Sequence, residues 1–456
     1  MTLFLNEVHT RNWLARGLVA VLLGFLAVGS ALAAEPLQAK AHIIKGEFLK
    51  APEKLMPPTA YTMAKAPPVV EFVQIPLPET KADPWSIWGY GLLHSNGKFY
   101  VPLGDHLGVN ANAYIYEYDP ETKMVRKMAD IQSAVKDFKQ GDFGFGKVHG
   151  RLNEGRDGGI YFATYWGQWR TESEKFEGDR VFRYDPKTEK LTDLGMPVYG
   201  WGYPSTHMDP QRMLLYAEAH KRKGNSKGDP KNKYVASGYK GYGDPYEVKF
   251  LVYDIEKRKV IFHGAHETFN YGRDFFVDAQ GNAYWNAEGG TLEKYDPNTN
   301  AVSKLSVKMP GTSIRRTIGP DAQGVMYGVT HDTKKLFSFD PKTEKIRTIT
   351  TVWKDSPGMD VTPDGKYIYC TPGGHGPSSG TPLIQVNVAD GSQKVIAFLH
   401  APIWEQAKFH LGGTYCVQVS DDGATAYVGF NGKAGAQDKA WGGLAVVAVQ
   451  IPASER

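Results

Sequence analysis

Two turns that recur along the chain, with a composition rich in glycine and aromatic residues, predict an all-β fold. The expected architecture is a seven-bladed β-propeller of four-stranded antiparallel blades, its ring closed by an N-terminal strand. The 456 residues include 50 Gly and 28 Pro, and 12% are aromatic. That mixture suits many short strands joined by tight turns and excludes a mainly helical protein.

The first recurring turn has the form aromatic-Asp-Pro-x-Thr. It occurs at Tyr118-Asp119-Pro120-Glu121-Thr122, at Tyr184 to Thr188, at Tyr295 to Thr299 and at Phe339 to Thr343, with decayed copies at Tyr253-Asp254 and Asn387 to Gly391. Asp bonds its own backbone and Pro presets φ, so the pair starts a turn. Upstream of each copy lies a second turn that ends in glycine, at Gly97, Gly158, Gly281, Gly324, Gly365 and Gly423; the third repeat uses Asp209-Pro210-Gln211 instead. Glycine there supplies the positive φ of a tight hairpin. Each unit is therefore strand A, glycine turn, strand B, loop, strand C, Asp-Pro turn, strand D. A four-stranded unit returning about every 45 residues is a propeller blade. Seven units begin near residues 85, 144, 200, 270, 312, 356 and 411. The last has three strands, and the run from Val69 to Ile75 is the expected fourth. Residues 69–456 are read as the propeller and 34–68, Pro-rich and without periodicity, as an arm on its outside.

Residues 1–33 have the form of a secretory signal peptide. Arg11 and Arg16 precede the apolar run from Gly17 to Ala33, which ends in Ala31-Leu32-Ala33. The alternative is an uncleaved anchor, for which that run is at the short limit. The expectation is a periplasmic or secreted protein with no membrane segment after cleavage. A formal charge of +4 is too small at this length to argue nucleic-acid binding. Cys370 and Cys416 could pair in an oxidising compartment.

Strands alternate in direction, so the glycine turns and Asp-Pro turns share one face. The B-to-C loops, the D-to-A crossings and the starts of the inner strands occupy the other. Most of the 13 histidines fall on that second face, as do Trp88 and several arginines. The expected site gathers there. His149, His207, Tyr271 and Arg273 are candidates for catalysis. Lys147, Tyr165, Trp166, Tyr203, His220, Tyr246, Arg315, Arg316, His331, His375 and His410 are candidates for substrate binding. Loops on a rigid scaffold usually carry function.

The third repeat's B-to-C loop, 221–249, holds eight basic and three acidic residues among tyrosines and glycines. It is either a solvated loop or a lid whose rings stack on sugars and whose cations attract carboxylate or sulfate. A divalent metal ion, zinc or calcium, would draw its ligands from His207, His220, His263 and His266, although His263-Gly264-Ala265-His266 on an extended segment points its two rings apart. No G-x-S-x-G elbow, phosphate-cradling loop or H-E-x-x-H is present.

The turns and hairpins resemble the broad propeller superfamily of gluconolactonase-like and YVTN-type repeats over about residues 69–452. More narrowly, Lys147-Val148-His149-Gly150 followed by Asp157-Gly158-Gly159-Ile160-Tyr161-Phe162-Ala163-Thr164 resembles the second blade of propeller polysaccharide lyases, notably the ulvan lyases. The resemblance implies cutting of uronate-containing polymers by a His, Tyr and Arg set around the axis. His149 matches the family's strand-start histidine. Tyr165-Trp166 stands where the family has a second histidine. Tyr271 with Arg273, or Tyr246, are the positions open to its Tyr and Arg. The expected function is β-elimination on an anionic poly- or oligosaccharide. Arg273 or Arg315 would neutralise the carboxylate, His149 or His207 would be the base, and Tyr271 or Tyr203 the acid. The rivals are a non-catalytic propeller binding a glycan or protein partner, and a metal-dependent lactonase or other hydrolase.

Overall fold

The Asp-Pro turns close as their chemistry demands. Asp119 Oδ1 accepts the N–H of Glu121 at 2.9 Å, and Asp185, Asp296 and Asp340 do the same for Lys187, Asn298 and Lys342. The residue after each Thr then takes positive φ, 58° at Lys123 and 53° at Glu189. Those two positions carry ordinary side chains, so only the folded backbone exposes this half of the turn. In the other turn, Gly97, Gly158, Gly281, Gly324, Gly365 and Gly423 all have φ between 66° and 86°.

The computed structural model describes residues 37–456 except 56, 58, 80–84, 166–175, 223–245, 266–272, 355, 375–379 and 437–440, and leaves out the side chains of Arg222, Tyr246 and Ala265. The leader-like segment and most of the basic loop lie outside the described residues. The strands form seven sheets in a ring, each with four antiparallel strands in the order A, B, C, D. The innermost strands are Leu92–Leu93, Asn153–Glu154, Trp201–Asp209, Phe276–Val277, Ile314–Ile318, Gly358–Val361 and Phe409–Val419. The seventh sheet is completed by Val69–Gln74, which pairs antiparallel with Gly443–Gln450. The first and last parts of the propeller thus share one blade, and the ring has no open edge at that seam.

The described residues of segment 34–68 include three short strands. Gln38–Lys40 edges the first blade, His42–Ile44 edges the seventh outside Val69–Gln74, and Thr62–Met63 runs parallel to Gln393–Phe398 of the sixth. Strands of two or three residues are too short to show alternation, so periodicity could not reveal them.

Cores lie between neighbouring blades. At the seam, Val70, Phe72 and Val447 pack with Phe409, Val417 and Val428 in one buried cluster. The Phe72 ring lies 5.5 Å from that of Phe409 and 5.7 Å from His42. Phe72→Ala is expected to cost about 3–5 kcal/mol of stability, because the cavity opens where the ring is closed. Urea unfolding checks this; a loss near that of a surface substitution would mean the seam contributes little. The cysteines are free and buried. Each sits in its own apolar cluster, and Cys416 Sγ accepts the N–H of Gly91 at 2.9 Å.

Candidate active site

Each inner strand starts at the loop side of the ring and ends at its glycine or Asp-Pro turn, so residues on strand starts meet near the loop-side end of the axis. Blades 1 and 2 come very close there. A Cβ on Gly89 would meet the Val148 carbonyl oxygen at 2.5 Å, which only glycine avoids. This contact sets Trp88 of the first blade beside Lys147 and His149 of the second. The Lys147 ammonium lies 5.4 Å from the centre of the Trp88 ring and 5.0 Å from that of Tyr165. The His149 ring lies 5.4 Å from Tyr165 and runs nearly parallel to Trp88 at 6.3 Å.

Opposite stands a cationic pair. Arg273 opens the fourth blade and Arg315 lies in the inner strand of the fifth. Both donate to the hydroxyl of Tyr415 on the seventh blade's inner strand, at 3.4 and 3.2 Å. The Arg273 guanidinium is also 5.8 Å from the Trp88 ring, which closes the circle. Trp441 stacks on Trp88 at 5.0 Å with planes 12° apart. From the second strand of the third blade, Glu218 and His220 point the same way, as residues i and i+2 of a strand must. Glu218 Oε1 makes a close hydrogen bond with His220 Nε2.

Burial governs the charges. Lys147 is pushed down to about 7, first by desolvation and then by Arg273, with Asp179 opposing. His149 is held well below the usual histidine value by desolvation, Arg273 and Lys147. Its Nδ1 lies 2.6 Å from the Pro204 carbonyl, which can only accept, so Nδ1 carries the proton. A neutral His149 therefore keeps a lone pair on Nε2. Glu218 is driven well above the carboxylate range by desolvation, with Arg273 opposing and Asp274 assisting, while burial takes His220 down to about 3. The Glu218 acid then donates to a neutral His220. Deep burial also makes Lys147 a liability for stability. Between pH about 7 and its ordinary 10.5 the unfolded chain binds a proton that the folded chain lacks, so stability rises with pH through that window. Lys147→Met is expected to be more stable than the wild type at pH 7 and to flatten that rise. Melting temperatures from pH 6 to 10 check it; parallel curves would mean that Lys147 is not desolvated.

Of the expected residues, the structure gathers Lys147, His149, Tyr165, His220, Arg273 and Arg315, and adds Glu218, Trp88, Tyr415 and Trp441. The pattern Glu218-Ala219-His220 on a strand end was a legible signal for the first of these; Tyr415 and Trp441 carry none. Among the described residues, the structure places the other expected ones apart from this cluster. His207 lies two residues before the Asp209 turn of the strand Trp201–Asp209, so it belongs to the turn-side end. His220 pairs with Gly202 across that strand, not with His207, and the two cannot share a metal. Arg316 points away from Arg315 and lies over the Tyr90 ring, 3.5 Å from its centre. Tyr203 is buried in a core between blades, its hydroxyl accepting the Val198 N–H at 3.2 Å. His263 meets Trp201 edge-on at 4.7 Å from an outer strand. His410 packs against His400 at 4.8 Å, and His331 follows the second strand of the fifth blade, half-buried. Trp166, Tyr271, His266 and His375, and the side chain of Tyr246, lie outside the described residues. Among the described residues no three or more His, Cys, Asp or Glu side chains converge where a metal ion could be held.

No family model and no curated protein matches the chain. Solved structures do. An oligogalacturonate lyase in complex with manganese superposes with a TM-score of 0.53, at 12% identity over 91% of this chain and 98% of that one. An oligogalacturonate lyase from Vibrio parahaemolyticus gives 0.51, at 12% identity over 92% and 100%. The likeness is one of fold. It extends along nearly the whole propeller and agrees with the ring of seven blades.

Proposed function

We propose that the chain is an exported lyase that cuts an acidic, uronate-containing glycan by β-elimination. The observation that carries this reading is an imidazole tied at Nδ1 to the Pro204 carbonyl, leaving Nε2 as its basic nitrogen, and held neutral in part by two nearby guanidinium groups joined on one tyrosine hydroxyl. Elimination beside a carboxylate needs that combination. Arg273 and Arg315 bind the uronate carboxylate and stabilise the negative charge that spreads onto it. His149 Nε2 takes the proton from the carbon next to the carboxylate. The electron pair left behind forms the new double bond and expels the glycosidic oxygen, which takes a proton from the Lys147 ammonium. A donor with a pKa near 7 suits that last transfer at neutral pH. Trp441, stacked on Trp88 and only partly buried, offers a face for a sugar ring. The fold shared with two oligogalacturonate lyases supports the same class of chemistry. Among the described residues no set of three or more His, Cys, Asp or Glu side chains fits a divalent ion. Export rests on the leader-like residues 1–33.

The test is incubation of the purified mature chain with a panel of uronate polymers and oligomers, watched for the ultraviolet absorbance of an unsaturated uronate. Activity should fall as pH rises through about 7, where Lys147 loses its proton. Absence of unsaturated product across the panel, with glycan binding retained, would leave a non-catalytic binding propeller.

A further inference from the structure

We infer that the turn-side mouth of the channel is a second binding site, for a small hydroxy-carboxylate such as a sugar acid. This site is distinct from the loop-side cluster and does not depend on that cluster being catalytic. A cavity of about 460 Å³ opens there, lined among others by Arg151, His207, Arg316, Asp360 and Gln418. That is room for a ligand at the lower end of ordinary small-molecule sites.

The wall between the two ends is built from split dipeptides. Arg273 and Arg315 face the loop side, while their neighbours Asp274 and Arg316 meet below them. Asp274 Oδ2 accepts from Arg151 and from the Thr317 N–H at 2.9 Å, and lies 3.5 Å from Arg316 Nη1. Asp274 thus bonds one guanidinium and pairs more loosely with the other, and Asp360 adds a second carboxylate near both. Arg316 Nε and Nη1 and Arg151 Nε are buried without a hydrogen-bond acceptor, and the Arg316 plane rests on Tyr90. Orphaned buried donors are expensive, and an anionic oxygen such as a carboxylate's is the acceptor that best satisfies a guanidinium N–H.

The rest of the lining fits a hydroxylated acid. His207 Nδ1 accepts the Met208 N–H at 2.9 Å, so Nε2 of the neutral ring bears the proton and donates. The acids at the rim are already engaged: Asp209 with Gln211 and Arg212, Asp278 with Asn282 and Tyr284, and Glu154 with Ser95. Asp360 accepts the Val419 N–H at 2.9 Å, and its remaining acceptor capacity suits a ligand hydroxyl. Donors from three blades and a single acceptor form the recognition set of a sugar acid.

Calorimetric titration with glucuronate tests the site on the wild type, Arg315→Met, Arg316→Met and His207→Ala. A binding event should persist in Arg315→Met and weaken by about tenfold or more in Arg316→Met, with a smaller loss in His207→Ala. The His207→Ala chain removes a donor without touching the buried ion pairs, so its loss reads the site even where Arg316→Met melts early. Glucuronate binding that disappears in Arg315→Met and survives unchanged in Arg316→Met and His207→Ala would overturn the inference. So would a wild type that binds no glucuronate.

Discussion

His149→Gln is expected to lower kcat for uronate elimination by about 10²–10⁴-fold and to change KM by no more than about threefold. Glutamine fills much of the ring's space and its amide stands near the place of Nε2, although it gives up the Nδ1 contact with the Pro204 carbonyl, 2.6 Å in the wild type. What glutamine lacks is a basic lone pair. The ring nitrogen that would take the substrate proton is Nε2, bare because desolvation, Arg273 and Lys147 keep the imidazole neutral. That neutrality has its own consequence: wild-type activity should not fall as pH drops through 6.5, where an ordinary histidine base would protonate. Initial rates of unsaturated product at saturating substrate provide the readout. A variant that keeps the wild-type kcat would remove His149 from the chemistry.

Arg273→Met should cost about 10²–10³-fold in kcat/KM, the scale for losing one preorganised charge that meets developing negative charge. Arg273 is the hub of the cluster, in contact with Trp88 and Tyr415 and adding to the depression of both Lys147 and His149. A second effect separates a chemical role from a structural one. After burial, Arg273 is the main influence lowering Lys147, so its loss lets the lysine hold its proton to higher pH. The falling limb of the activity profile should therefore move above pH 7 in the variant. A profile that loses height without moving would place Arg273 in the scaffold alone.

Much of the site was readable because strand starts are readable. His149 and Arg273 sit where the chain enters an inner strand, and the turn grammar locates those points to within a residue or two. Arg315 shows the limit. Nothing in Ile314-Arg315-Arg316-Thr317 says that the two arginines part company, one to Tyr415 and one to Tyr90. The register shift between Ile314 and Arg316 breaks simple alternation, and partners on distant blades, Tyr415 for one and Tyr90 for the other, decide where each guanidinium rests. His207 was misplaced for a related reason. The strand Trp201–Asp209 is nine residues long, whereas the visible inner strands of the second and fourth blades have two, so a residue near its start by repeat alignment is near its end in space.

By itself the sequence determined the local grammar: where strands turn, how many blades form, and that the run from Val69 to Ile75 could finish the last one. Those features rest on interactions within a few residues, such as an Asp bonding the backbone two positions on, or a glycine at positive φ. Only the tertiary structure decided which side chains meet on the axis. Trp88, His149, Glu218, Arg273, Arg315 and Tyr415 come from six blades, and what brings them together is the closing of the ring. It also decided that burial would leave a histidine neutral and a lysine titrating near 7, since desolvation belongs to the assembled surroundings and not to any segment.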